Sequence, residues 1–143
     1  MNMKLLLAGI FSVFIFSCNK SETSPDINHV AFSATLKGSS ETPPNASLAS
    51  GTASSVYNTQ TRVLLINVTY SGLTATAAHI HKGAPGVSGP VIFGFTSITL
   101  PINYTTVAFD STMEADLMSN LYYVNIHSAA YPGGEIRGQL IKQ

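Results

Sequence analysis

Two short runs of this chain alternate between apolar and polar side chains, the pattern of strands with one face in a core. They are Ala77-Ala78-His79-Ile80-His81-Lys82-Gly83 and Tyr123-Val124-Asn125-Ile126-His127-Ser128, and they hold three of the four histidines. Side chains two apart in a strand share a face. His79 and His81 therefore lie opposite Ala78 and Ile80, while Tyr123, Asn125 and His127 lie opposite Val124 and Ile126. The apolar members can enter a core while all three imidazoles gather on the outer side of one sheet.

The remaining segments read in the same way. Strands are expected at Val30–Leu36, Gly51–Tyr57, Arg62–Tyr70, Val91–Phe95, Tyr104–Phe109 and Glu135–Ile141, separated by Gly, Pro, Asn and Ser clusters. The loop Lys37–Ser47 holds Pro43-Pro44, which excludes regular pairing. The loop Lys82–Pro90 holds three Gly and two Pro. One helix is expected from Thr112 to about Met118. Ser111 serves as its cap, and Glu114 reaches back in a capping box. About eight short strands, turns at close spacing and one short helix predict an all-β, antiparallel Greek-key sandwich.

The N-terminus reads as an export signal over residues 1–17. Lys4 is its positive region, and Leu5–Phe16 is an apolar run too short to span a bilayer. Ile15-Phe16-Ser17-Cys18 resembles a bacterial lipobox, which implies a diacylated Cys18 at the mature N-terminus. Cys18 is the only cysteine, so no internal disulfide is available. Residues 18–29 form a polar tether without periodicity, and residues 30–143 form one domain. His29, at the end of the tether, is read as a solvated residue. The location expected is a bacterial cell envelope, periplasmic or at the cell surface, with the membrane as a partner through the lipid.

Composition narrows the function classes. Formal net charge is zero and charged residues make up 10% of the chain. No basic run follows the first residues, which argues against nucleic acid as a partner.

The segments Ala78–Gly83, Gly89-Pro90-Val91 and Tyr123–Leu140, the last containing Tyr131-Pro132-Gly133-Gly134-Glu135-Ile136-Arg137-Gly138-Gln139, resemble the CHRD domain family. That family takes its name from chordin, an extracellular binder of bone morphogenetic proteins, and also occurs alone in bacterial secreted proteins. The resemblance spans roughly Val30 to Ile141. It implies an extracytoplasmic β-sandwich that acts as a binding or structural module, with an extracellular protein or ligand as partner. A more distant similarity is to copper/zinc superoxide dismutase, where His79 and His81 match a His-x-His pair and His127 a late-strand ligand. The bridging histidine, the zinc cluster and the cysteine pair of that enzyme have no counterparts here.

Two readings of the histidines stand side by side. Three neutral imidazoles can bind copper or zinc, with Tyr123, Asn125, Glu135 or Arg137 orienting the rings. Alternatively, the histidines form a structural hydrogen-bond network with Asn125, Glu135 and Arg137, the last two ion-paired with each other or with neighbouring strands. No Gly-x-Ser-x-Gly elbow, phosphate loop or paired acid motif is found, so a binding module is favoured over an enzyme.

Overall fold

The computed structural model describes residues 27–143. The export signal, Cys18 and most of the tether lie outside the described residues. Nine strands follow: β1 His29–Lys37, β2 Ser50–Asn58, β3 Val63–Ser71, β4 Ala75–Lys82, β5 Val91–Gly94, β6 Ile102–Thr105, β7 Tyr122–Ser128, β8 Ile136–Gln139 and β9 Ile141–Lys142. One helix, α1 Ser111–Met118, stands between β6 and β7. Every strand pair is antiparallel, in the order β5-β4-β7-β8-β1-β2-β3-β6, with β9 added to β1.

The alternation in each run decides which side chains go inside. In β1 Phe32, Ala34 and Leu36 are buried while Ala31, Ser33 and Thr35 are exposed. β2 and β3 continue the pattern with Tyr57 and with Leu64, Ile66 and Val68. β4 and β7 contribute Ala78, Ile80, Val124 and Ile126 to the same core. The two terminal strands of the order, β5 and β6, meet through side chains: the Phe93 and Tyr104 ring centroids are 6.3 Å apart, and Phe95 and Tyr104 are 5.3 Å apart. The sheet is therefore continuous but curled, and its two halves face each other across one core. The expected all-β architecture with a single short helix is the one observed, its layers being halves of one sheet. Phe109 fills the end of the core beside Phe93, Tyr57 and Tyr122, at 5.4–6.0 Å between centroids.

Three local expectations need correction. The helix starts one residue earlier than expected, and its cap is Asp110, whose Oδ1 accepts from the Met113 amide at 2.8 Å. Aspartate caps as well as serine. With the cap shifted by one, Glu114 passes the capping-box position and pairs instead with Arg62 at 3.6 Å. The sixth strand starts at Ile102 and ends at Thr105, because Ile102 is buried opposite Val68. Beyond it the Thr106 hydroxyl accepts from the Leu64 amide, and the chain then turns into the helix cap. His29 is exposed, as expected, but belongs to β1 rather than to the tether: it stands opposite Asn58, and its Nε2 lies 3.1 Å from Asn58 Nδ2.

Loss of an N-cap oxygen in helices of this kind costs about 1 kcal/mol. Asp110→Ala is expected to lower stability by about that amount, read as a shift of the urea midpoint at unchanged slope.

Candidate functional site

The pairing of β4 with β7 sets His79 opposite Asn125, His81 opposite Tyr123 and Ala77 opposite His127. All these side chains point away from the core. The ring centroids are 4.8 Å apart for His79–His127, 5.5 Å for His79–His81 and 6.3 Å for His81–His127. Two runs separated by more than forty residues of sequence thus bring their imidazoles into one cluster.

The hydrogen bonds decide which ring nitrogens carry protons. His81 Nδ1 lies 3.0 Å from the Gly89 carbonyl, and His127 Nδ1 lies 2.8 Å from the Pro132 carbonyl. A carbonyl only accepts, so both Nδ1 atoms are protonated and both Nε2 atoms carry lone pairs in the neutral rings. His79 Nδ1 lies 3.0 Å from His127 Nε2 and donates to it. His81 Nε2 is buried without a hydrogen-bond partner. A buried acceptor left unsatisfied costs stability and calls for an explanation.

The outer face of β7 is not open to solvent as a simple alternation would have it. Tyr123, Asn125, Glu135 and Arg137 are all buried. Two loops roof them, residues 38–49 between β1 and β2 and residues 83–90 between β4 and β5. Arg137 lies with its guanidinium carbon 3.4 Å from the Tyr123 ring centroid. It donates to the carbonyls of Ala84 and Val87 at 3.0 Å each and to the Thr42 hydroxyl at 3.3 Å. Tyr123 stacks on His81 at 4.9 Å and 9° between planes, and its hydroxyl accepts from the Gly89 amide. Gly89 therefore holds His81 with its carbonyl and Tyr123 with its amide. A methyl group at position 89 would overlap the Lys82 carbonyl.

Of the four residues expected to orient the rings, Tyr123 touches one directly. Asn125 gives its amide to the Glu41 carboxylate at 2.7 Å. Glu135 accepts from the Ser47 hydroxyl at 2.7 Å. Glu135 and Arg137 thus bind different loop segments rather than each other. Glu135 lies just before β8 and Arg137 within it, and the loops supply their partners. Sequence reading missed the two backbone carbonyls that fix the tautomers, since a carbonyl has no side-chain signature. It also missed Glu41, which sits in a stretch read only as a loop; an acid beside Pro43-Pro44 offered no periodic cue.

Burial holds the His79 and His81 rings below the ordinary imidazole value. The neighbouring His127 and His81 reinforce this at His79. At His81 the Gly89 carbonyl opposes the effect, while His127 and Arg137 reinforce it. Burial raises the Glu41 carboxyl above its ordinary value, against the Thr42 backbone hydrogen bond and Arg137. Burial thus favours the neutral form of the His79 and His81 rings, the state that ligates a metal.

One nitrogen from each ring lies within 4.8 Å of the other two. Around an ion at about 2.0–2.1 Å from each nitrogen the donors would sit roughly 3.3–3.5 Å apart, so the rings must draw in by about an ångström. The Nδ1–H groups held by carbonyls leave Nε2 of His81 and His127 aimed at the cluster, the usual orientation of a metal-ligating histidine. His79 would surrender its hydrogen bond to His127, through proton loss or a change of tautomer.

Fold and site together define an all-β module carrying a half-buried three-imidazole cluster on its outer face. The family model of the CHRD domain matches residues 32–140, and the chain belongs to that family. No curated protein and no solved structure matches the chain. The likeness to copper/zinc superoxide dismutase therefore rests on the histidine pattern alone.

The depressed ring values carry a stability consequence. Between the ordinary value near 6.5 and the lower folded values, the unfolded chain binds protons that the folded chain refuses. Apoprotein stability is therefore full above that value and falls as the pH drops through it. Glu41 acts in the opposite sense: its contribution is lost as the pH rises above 4.5 towards its raised folded value. In thermal melts across about pH 5.5–7.5, the His81→Gln apoprotein is expected to show a flatter pH slope than the wild type.

Proposed function

We propose that the chain is an exported CHRD module, lipid-anchored at Cys18 to a bacterial envelope membrane, that holds a copper or zinc ion on His79, His81 and His127. Membership of the CHRD family supports the structural and binding character of the module. The lipobox-like Ile15-Phe16-Ser17-Cys18 supports the anchor. Between Cys18 and Ile27, the first described residue, eight residues can extend over roughly 26–29 Å at full stretch, enough to hold the domain clear of the headgroups.

The observation that carries the metal reading is the buried, partnerless Nε2 of His81 beside two other imidazoles. Other buried polar atoms, Asn125 Oδ1 among them, also lack a partner, but among the described residues His81 Nε2 is the one that belongs to a group of metal-ligating side chains. An ion in the cluster satisfies it and uses the carbonyl bonds that already fix the rings. The module would act by sequestering or carrying the ion. The nearby side chains are committed to loop anchoring, and none is placed as a general acid or base.

Two experiments test the proposal. Protein produced without a histidine tag should retain close to one equivalent of copper or zinc by elemental analysis, and His79→Ala/His81→Ala should lose it. Metal-free protein that takes up neither ion at micromolar concentration returns the cluster to a structural role. For the anchor, Cys18→Ser should move the protein from the membrane fraction to the soluble fraction. Intact mass spectrometry of the wild type should show the added acyl mass on residue 18. An unmodified cysteine would refute the anchor.

A further inference from the structure

We infer that the cluster selects a monovalent ion, copper(I), over zinc(II), an inference that rests on the metal reading above. The argument is one of charge. Among the described residues the grouped donors are three imidazoles, and no carboxylate or thiolate joins them. Neutral donors leave the full charge of the ion in place.

The acids nearest in the fold stay out of the donor group: Glu41 accepts from Asn125, and Glu135 accepts from Ser47. The nearest fixed charge on the other side is positive. Arg137 is only 2% exposed and lies against Tyr123, which stacks on His81. β4 and β8 flank β7, so the guanidinium and the imidazole approach the tyrosine from opposite sides. The guanidinium N–H groups go to two loop carbonyls and a hydroxyl rather than to a carboxylate. Glu41 acts on the guanidinium through space, and burial favours that carboxyl's neutral form.

The size of the effect decides between ions. Across about 8 Å, the depth of the Arg137–Tyr123–His81 stack, and at an effective dielectric near 20, each extra unit of positive charge on the ion weakens binding on the order of thirtyfold. Desolvation adds to this, because the cost of taking an ion out of water rises with the square of its charge. Geometry does not oppose the choice. A filled d shell imposes no preferred angles, and three nitrogens converging from two strands suit trigonal coordination. Zinc in a three-histidine site completes its shell with a fourth ligand, usually water.

The test uses the full chain. Under anaerobic, reducing conditions copper(I) is offered from a chromophoric chelator, and zinc(II) is offered separately from a zinc indicator of known affinity. The expected result is one equivalent of copper(I) bound through the triad, and zinc(II) bound at least about thirtyfold more weakly. The Ala77→Asp variant probes the cause. Ala77 is half-buried on the histidine face and sits opposite His127. A carboxylate there should raise zinc(II) affinity on the order of tenfold or more and narrow the gap to copper(I). Zinc(II) bound as tightly as copper(I) by the wild type overturns the inference and leaves the metal site standing. An unchanged ratio in a folded Ala77→Asp protein overturns the charge argument. Failure of both ions to bind overturns the metal reading and this inference with it. The wild-type ratio decides the matter even where the variant does not fold.

Discussion

The backbone register between β4 and β7 is the constraint on which everything at the histidine face depends. Seven residues of β4 are matched to partners on β7, from Ala75–Ser128 to Lys82–Tyr122. The ladder sets three rings within reach of one another and sends Ala78, Ile80, Val124 and Ile126 into the core. A slip of one residue would reverse both outcomes at once, because strand side chains alternate in direction. The hydrophobic core therefore enforces the geometry of the polar cluster. An error in register would bury imidazoles among aliphatic groups, at a cost far larger than any gain on the outer face.

A second polar layer lies outside that sheet. Arg137 is its hub, binding both roofing loops and stacking on Tyr123. Burial of an arginine is tolerable when its donors are matched, and here carbonyls do most of the matching. Glu41 and Asn125 add a buried bond from the other loop, and the close approach of Gly134 leaves no room there for a side chain. Ser47 and Asn45 tie the same loop to Glu135. These contacts join segments remote in sequence, so the roof depends on β1, β7 and β8 being held together.

The strands were legible because their information is local. Phe32-Ser33-Ala34-Thr35-Leu36 and Val63-Leu64-Leu65-Ile66 carry period and propensity in adjacent residues. The gathering of His79, His81 and His127 was legible for a related reason: two alternating runs with matching polar faces pair naturally as neighbours. The roof was not legible. Its bonds run from side chains to backbone carbonyls of Gly89, Pro132, Ala84 and Val87, and a carbonyl looks the same at every position. Spacing allowed Glu135 and Arg137 to pair with each other or with neighbouring strands, yet spacing says nothing of what a loop will bring closer. The helix cap shifted by one residue because Asp110 and Ser111 are both good caps, and tertiary contacts of Phe109 and Leu117 chose between them.

Loop 83–90 is pinched at its base. The Lys82 amide bonds the Pro90 carbonyl, and the Gly83 amide bonds the Leu121 carbonyl. Gly89 then clamps His81 and Tyr123 with its own peptide groups. Arg137 grips the span above through the carbonyls of Ala84 and Val87, whose side chains play no part in those bonds. Gly86 holds a φ of 76° that favours glycine, and the Ser88 hydroxyl donates to the Thr42 carbonyl, but the side chains at 84 and 87 are uncoupled from the orientation of the rings beneath. Related chains could decorate this arch with new recognition chemistry, and a designer could graft onto it, without retuning the histidines.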